Sequence, residues 1–380
     1  MEQAVTPRRA AVVSLRSIMR QIHLWLGLSA GLVLALVGLS GAGLVFAEQM
    51  VRHEAPSFFA DVGPGDWKPV STWIADAEKK YPDLAPLKFV FGPGTIPMPT
   101  GVPVIFKKTE VNGEERHTLI SIDPVQGVAL ERINAEDTWA GWLVIFHKEL
   151  LADDLGILIV AIAAVVGLVS VITGAYLWWP KPGRWGMAFR LRRGARGAAL
   201  LYDLHSVPAI WLLLPLALAL ASGLYIEKPD WIDPIVRVAS NVRELPPTSA
   251  VSSPAGACPT QTSLDDAVAL AAKGRDGQIL RHAYLPMGPN GIYDIELRAP
   301  DASARADGDR IYVDRNCPKI VATITANSMT LGEKAKSWMW PIHADLLLGW
   351  VGKTILFLAG LMLPTLFATG LLFWLKTRRR

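Results

Sequence analysis

The sequence predicts a membrane α-helical fold: a four-transmembrane-helix bundle with a parallel internal repeat, carrying α+β modules on one side. Three observations predict it. Hydrophobic residues make up 51% of the 380-residue chain and charged residues only 19%. Four stretches of 21 to 26 residues, 24–47, 155–180, 206–226 and 354–375, contain no Asp, Glu, Lys or Arg. The residues around these stretches recur at fixed spacing. A bilayer core of about 30 Å needs about 20 helical residues at about 1.5 Å each, so every stretch is long enough to cross.

Taken in order, residues 1–22 form a basic N-terminus with Arg8, Arg9, Arg16 and Arg20, and 23–48 are span one. Its apolar run is about twice the 7–15 residues of a signal-peptide core, so it reads as a retained span. Residues 49–146 form a first outward module. Ser71 to Tyr81 reads as a helix capped by Ser71, followed by strands near 87–91, 102–106 and 118–122 and a strand–turn–strand, ISIDPVQGVAL, around Asp123. Span two, 147–180, is expected to extend outward as a helix and lift His147 above the uncharged run.

Residues 181–204 are a basic loop with Lys181, Arg184, Arg190, Arg192, Arg193 and Arg196, and 205–226 are span three. A second outward module, 227–342, carries an irregular linker at 246–259, a helix at 263–273 capped by Ser263, strands at 279–284, 291–297 and 310–313, and IYVDRNCPKIVATI around Asp314. Span four, 343–376, again with an outward extension, ends in the basic tail 377–380. All basic segments fall on one side if the spans alternate, and the positive-inside rule makes that side cytoplasmic. The net charge of +4 therefore reflects membrane topology and the anionic inner leaflet, not nucleic-acid binding. Cys258 and Cys317, the only cysteines, both lie in the second outward segment and are expected to bond in an oxidising compartment; their spacing is no metal motif.

The repeat is specific. His147 precedes Thr173-Gly174 by 26 and 27 residues, as His343 precedes Thr369-Gly370; Trp142 and Trp338 each precede their histidine by five. His23 precedes Ser40-Gly41 by 17 and 18 residues, as His205 precedes Ser222-Gly223. Spans one and three run outward and spans two and four inward, which makes the repeat parallel, about an axis along the membrane normal.

Four of the seven histidines are thus in register. His23 and His205 lie at the inner face, His147 and His343 at the outer. Two imidazoles facing each other across a bundle form the ligand set of a six-coordinate haem, so the chain reads as a dihaem b-type conduit. Zinc needs four ligands, which neither pair supplies. A proton relay needs no symmetric pair. Arg16 and Arg20 precede His23 by seven and three residues, where they could pair with haem propionates or simply be positive-inside charge. Gly27, Gly31, Gly38, Gly41 and Gly43 could admit a macrocycle or serve helix contacts. The outer histidines are expected roughly 12–16 Å above the uncharged runs. Trp142, Trp338 and Trp340 read as an interfacial belt or a substrate-docking floor. Lys353 either snorkels or holds an anionic group. His53, His117 and His282 lack counterparts and read as surface or loop histidines.

The pattern RQIHLWLGLSAGLVLALVGLSGAGLVF in span one, LYDLHSVPAIWLLLPLALALASGLY in span three and the two His-led spans resemble the PepSY-associated transmembrane family. The segments around Asp123 and Asp314 look like its PepSY modules. Length and layout are similar to the FoxB-type ferric-siderophore reductases of Gram-negative bacteria. The resemblance implies an inner-membrane protein with both termini cytoplasmic. It implies two b-type haems on His23, His147, His205 and His343, with electrons passed to siderophore-bound iron in the periplasm. No dinucleotide, P-loop or flavin motif is present, so the donor is expected to be a quinol, another reductase or a diffusible reductant. The rival readings are a siderophore or iron permease without haem, and a regulatory or assembly protein whose PepSY modules are the working part. Against the permease, the sequence gives no Pro/Gly-broken helix pair carrying acids within the membrane.

Overall fold

The computed structural model describes residues 14–59, 62–92, 102–111, 114–243, 253–288, 291–299, 308–345 and 347–378. Arg8, Arg9, Arg379, Arg380 and the first half of the 246–259 linker lie outside the described residues. In chain order the main elements are α1 (Leu15–Leu44), α2 (Ala47–Glu54), α3 (Val70–Lys80), β1 (Phe89–Phe91), β2 (Val104–Val111), β3 (Glu114–Asp123), β4 (Val128–Asn134), α4 (Trp139–Glu149), α5 (Asp153–Trp178) and α6 (Trp185–Ala188). They continue with α7 (Ala198–Trp211), α8 (Leu213–Glu227), α9 (Pro229–Ala239), α10 (Leu264–Ala272), β5 (Ile279–Tyr284), β6 (Ile292–Arg298), β7 (Asp309–Asp314), β8 (Ile320–Ile324), α11 (Leu331–Asp345) and α12 (Trp350–Arg378). The chain divides into a helical unit (Met1–Ala42, His147–Glu227, Thr354–Arg380) and a sheet unit (Gly43–Phe146, Lys228–Lys353).

In the helical unit, α1, α5 and α12 are each long and apolar enough to cross a membrane, and α7 with α8 makes a fourth such segment, bent by 69°. The bend corrects the expectation that span three is a helix like the others. Pro215 has no N–H to give the carbonyl of Trp211 four residues back, and its ring crowds that carbonyl, so the ladder breaks at Leu212. The turns on either side stay bonded, Leu212 N–H to Pro208 O at 3.1 Å and Leu216 N–H to Leu212 O at 2.9 Å. Helices α1 and α12 meet backbone to backbone: a Cβ on Gly38 would lie 2.6 Å from Gly360 O, and one on Gly360 2.6 Å from Gly38 O.

The His-led extensions are also corrected. The chain leaves α4 after Glu149 and starts α5 at Asp153, with Leu150 (φ 52°), Leu151 (φ 59°) and Asp153 (φ 47°) left-handed. After α11 it turns again, through Leu347 (φ 62°) and Gly349 (φ 59°), before α12. Such angles are costly for residues with a Cβ, so they interrupt a helix. Gly156 completes the first break, because any Cβ there would overlap the Glu149 carbonyl. His147 and His343 therefore stand on short helices of their own, not on outward extensions of α5 and α12.

The sheet unit is built on eight antiparallel strands in the order β4-β3-β2-β1-β5-β6-β7-β8. The order reads alike in both directions from a seam where Phe89, Val90 and Phe91 pair with Tyr284, Ala283 and His282. Helices α3 and α10 cover one face, where Trp73, Ile74 and Ala77 join Ala267 and Ala271 over Ile105, Ile120, Ile295 and Ile311. The alternate residues Val104, Leu119 and Ile133 face the other way, under Val51, Phe58 and Phe59. Ser263 caps α10 with a complete capping box through Asp266. The expected Ser71 cap is absent: α3 begins at Val70 after Pro69, and the Ser71 hydroxyl and N–H donate to the Asp265 carboxylate instead. Cys258 and Cys317 are disulfide-bonded, with Cα atoms 5.3 Å apart.

Glu333, in the first turn of α11, is buried and bound to Arg243 through Nε, Nη2 and the backbone N–H at 2.8, 2.8 and 2.9 Å. The Arg243 side-chain bonds, with the Thr330 and Arg243 backbone N–H groups, outweigh burial and hold the carboxyl down at about 2. A lowered folded pKa gives stability that is full above the ordinary carboxylate range and is lost as pH falls through about 2. Glu333→Gln is expected to lower the stability of the protein at pH 7 by on the order of 1–2 kcal/mol. In thermal melts between pH 5 and pH 2.5 the variant should also lose less stability than the parent. In the helical unit, Gly38→Ala and Gly360→Ala should each cost about 1–3 kcal/mol by forcing α1 and α12 apart. Gly27→Ala, which faces open space, should cost little in the same detergent melts.

Candidate functional site

Two of the four registered histidines meet in the helical unit. His23 of α1 and His205 of α7 have ring centroids 6.1 Å apart and ring planes at 88°. With metal–nitrogen bonds of about 2.0 Å, two imidazoles on opposite sides of one metal ion stand with centroids roughly 6 Å apart. That separation fits a single bridged ion.

Each ring is seated the same way. His23 Nδ1 lies 3.1 Å from Thr173 Oγ1, and a Cβ on Gly174 would approach the ring to 3.1 Å. His205 Nδ1 lies 3.1 Å from both Leu366 O and Thr369 Oγ1, with Gly370 against its ring. His147 Nδ1 lies 2.9 Å from Val37 O and 3.1 Å from Ser40 Oγ, with Gly41 against its ring. His147 thus packs on the body of α1, which corrects the expectation that it stands well above the apolar run. Along α1 the His23 and His147 levels are 14 to 17 residues apart, roughly 20–25 Å at about 1.5 Å per residue. His343 lies half-buried near the end of α11, in the sheet unit.

The Thr-Gly and Ser-Gly pairs were visible in the sequence only as alignment marks. The structure makes three of them, Thr173-Gly174, Thr369-Gly370 and Ser40-Gly41, the surfaces that hold imidazoles, across helices and not along them. Asp203 is a further residue that sequence reasoning missed. Buried two positions before His205, it takes Nε and Nη2 of Arg192 at 3.0 and 2.7 Å and the Arg192 backbone N–H at 3.0 Å. The pair ties the basic loop to the first turns of α7.

Other expected site residues divide. Arg16 donates to the Leu177 carbonyl in the last turn of α5, a helix-end role, while Arg20 is exposed. Of the five glycines in α1 singled out, Gly27 alone faces open space; Gly31 packs on Phe367 and Gly43 on Leu143. In the sheet unit Trp142 stacks on Phe146 at 5.6 Å, and Trp142, Trp338 and Trp340 are each partly exposed. Lys353 is half-buried in the first turn of α12. Of the unpaired histidines, exposed His53 and partly exposed His117 fit a surface role and buried His282 does not. His117 lies on β3, its Nδ1 2.6 Å from Glu136 Oε1. His282 is buried on β5 between Asp294 and Glu296, at 3.5 and 3.4 Å. Burial would raise the Asp294 carboxyl, but hydrogen bonds from Arg310 and His282 win and hold it below the usual range. Among the described residues, no group of three or more His, Cys, Asp or Glu is arranged to hold a metal ion unaided. The His23–His205 pair suits an ion whose other ligands come with it.

Fold and site define a multi-helix membrane protein with paired imidazoles in its apolar unit and a separate antiparallel sheet unit. The chain matches the family described as PepSY-associated TM region over residues 20–377, and it belongs to that family. A comparison with curated proteins finds no match.

Proposed function

We propose that the chain is a dihaem b-type reductase of a bacterial inner membrane, of the FoxB-like ferric-siderophore kind. His23 with His205 is one axial ligand pair, and the sequence register alone assigns His147 and His343 to the second haem. The observation that carries this reading is the 6.1 Å separation of the His23 and His205 rings, in an apolar setting with glycine on the flank of each ring. A bound haem supplies a one-electron iron couple whose potential is set by ligands and burial. The chain's own residues fix the imidazoles of His23, His205 and His147 and stand them at two levels along α1.

In this reading the basic segments mark the cytoplasmic side, and electrons enter near His23 and His205 from a quinol, a reductase or a diffusible reductant. The sheet unit is a pair of duplicated PepSY modules meeting at the β1–β5 seam. Its exposed Trp142, Trp338 and Trp340, with Lys353, are the proposed contacts for an anionic ferric siderophore, on the ground of their chemistry and exposure. Reduction to Fe(II) weakens the hold of hard oxygen donors and releases the iron.

The bend between α7 and α8 favours a second reading, a siderophore or iron permease without haem, since broken spans line transport sites. Against it, residues 206–226 carry no acid to bind a cation or proton.

A reduced-minus-oxidised spectrum of the purified protein separates the two. The expected result is a b-type spectrum with two haems per chain, falling to one in His205→Ala and, separately, to one in His343→Ala. A pigment-free protein with intact transport would support the permease. The 88° between the His23 and His205 planes adds a finer expectation: a strongly anisotropic low-spin ferric signal at large gmax, lost in His205→Ala.

A further inference from the structure

Histidine offers two ring nitrogens, and a metal can use only one that carries no proton. The seats of His23, His205 and His147 decide which. A backbone carbonyl can only accept a hydrogen bond. Leu366 O is 3.1 Å from Nδ1 of His205, and Val37 O is 2.9 Å from Nδ1 of His147, so both Nδ1 atoms carry the proton. The neighbouring hydroxyls are constrained to agree. Thr369 Oγ1 donates to Thr365 O at 2.7 Å, and Ser40 Oγ donates to Val37 O at 2.9 Å. Thr173 Oγ1 donates to Val169 O at 2.9 Å. Each hydroxyl has one proton and an acceptor for it on its own helix, which leaves a lone pair to turn to the imidazole. His23, whose Nδ1 contacts Thr173 Oγ1 at 3.1 Å, has the same seat and is assigned the same tautomer.

We infer that Thr173, Thr369 and Ser40 are positioning residues that, with the Leu366 and Val37 carbonyls at two of the three seats, hold His23, His205 and His147 in the Nδ1–H tautomer and leave the Nε2 lone pair for the metal. This inference rests on reading those histidines as haem ligands. The hydroxyl does two things. It orients the ring about its Cβ–Cγ bond, and its lone pair polarises Nδ1–H, which makes Nε2 a stronger donor. Gly174, Gly370 and Gly41 belong to the same device: each adjoins the hydroxyl residue, and its missing side chain lets the imidazole lie flat enough to reach that oxygen. Ser222, at the register of Ser40, spends its hydroxyl in the same way, on Leu218 O at 2.6 Å.

The test replaces the oxygen at constant shape. Thr173→Val and Thr369→Val remove the hydroxyl acceptor, leaving His205 the Leu366 carbonyl alone, and Thr173→Ser and Thr369→Ser retain it. In the full-length protein purified with its pigment, the Val variants should release haem to apomyoglobin several-fold faster, toward the 10–100-fold typical of lost outer-shell partners. A weaker donor stabilises Fe(III) less, so the midpoint potential of the affected haem should rise, while the Ser variants stay at the parent values. A merely structural threonine would leave the potential unmoved, and unchanged potentials and release rates in both Val variants would overturn the inference. Should the Val variants not fold, the parent protein carries the same test. Its low-spin ferric form should show solvent-protected, hyperfine-shifted Nδ1–H resonances from the axial histidines, and freely exchanging ones would overturn the assignment. A parent protein without haem would instead overturn the functional reading.

Discussion

An imidazole placed inside an apolar helix bundle must have its ring N–H met by an acceptor, because hydrocarbon supplies no substitute for water. That demand organises the helical unit. Three histidines meet it in one way, with an oxygen borrowed from the neighbouring helix where a hydroxyl residue precedes a glycine. The small residue is as necessary as the polar one. Without it the ring would stand off from the helix and the N–H would be stranded.

The irregular backbone follows from the same demand. His205 reaches His23 on a helix that departs by 69° from the one continuing it, and Pro215 makes the departure. His147 reaches the body of α1 because the chain doubles back through left-handed Leu150 and Leu151 before α5 begins. A straight extension would have carried the ring away from Val37 and Ser40.

Much of this was written in the sequence. The charge-free runs marked the membrane segments, and the strand alternation around Asp123 and Asp314 marked β3, β4, β7 and β8. The spacing of His to Ser-Gly and Thr-Gly was also correct, but it was read along each helix, whereas the contacts run between helices. Periodicity within one segment carries no information about which segment lies beside it. The same limit hid the β1–β5 seam and the capture of Ser71 by Asp265, a partner 194 residues away. The bend at Leu212 was legible in principle, since a proline four residues after Trp211 removes its hydrogen bond. The turn after Glu149 was not, because leucine gives no local sign of a positive φ. His282 misled for a further reason: a lone histidine without a counterpart resembles a surface residue until strand pairing places it between two acids.

The central claim is that His23 and His205 hold one iron porphyrin between them. The most direct measurement is an experimental density map of the protein purified from membranes under conditions that retain pigment. The account predicts a flat macrocycle between the two rings, with Nε2 of each on the iron and Nδ1 of each turned to Thr173 or Thr369. Continuous protein packing between α1 and α7, with either Nε2 directed at a protein acceptor, would contradict it.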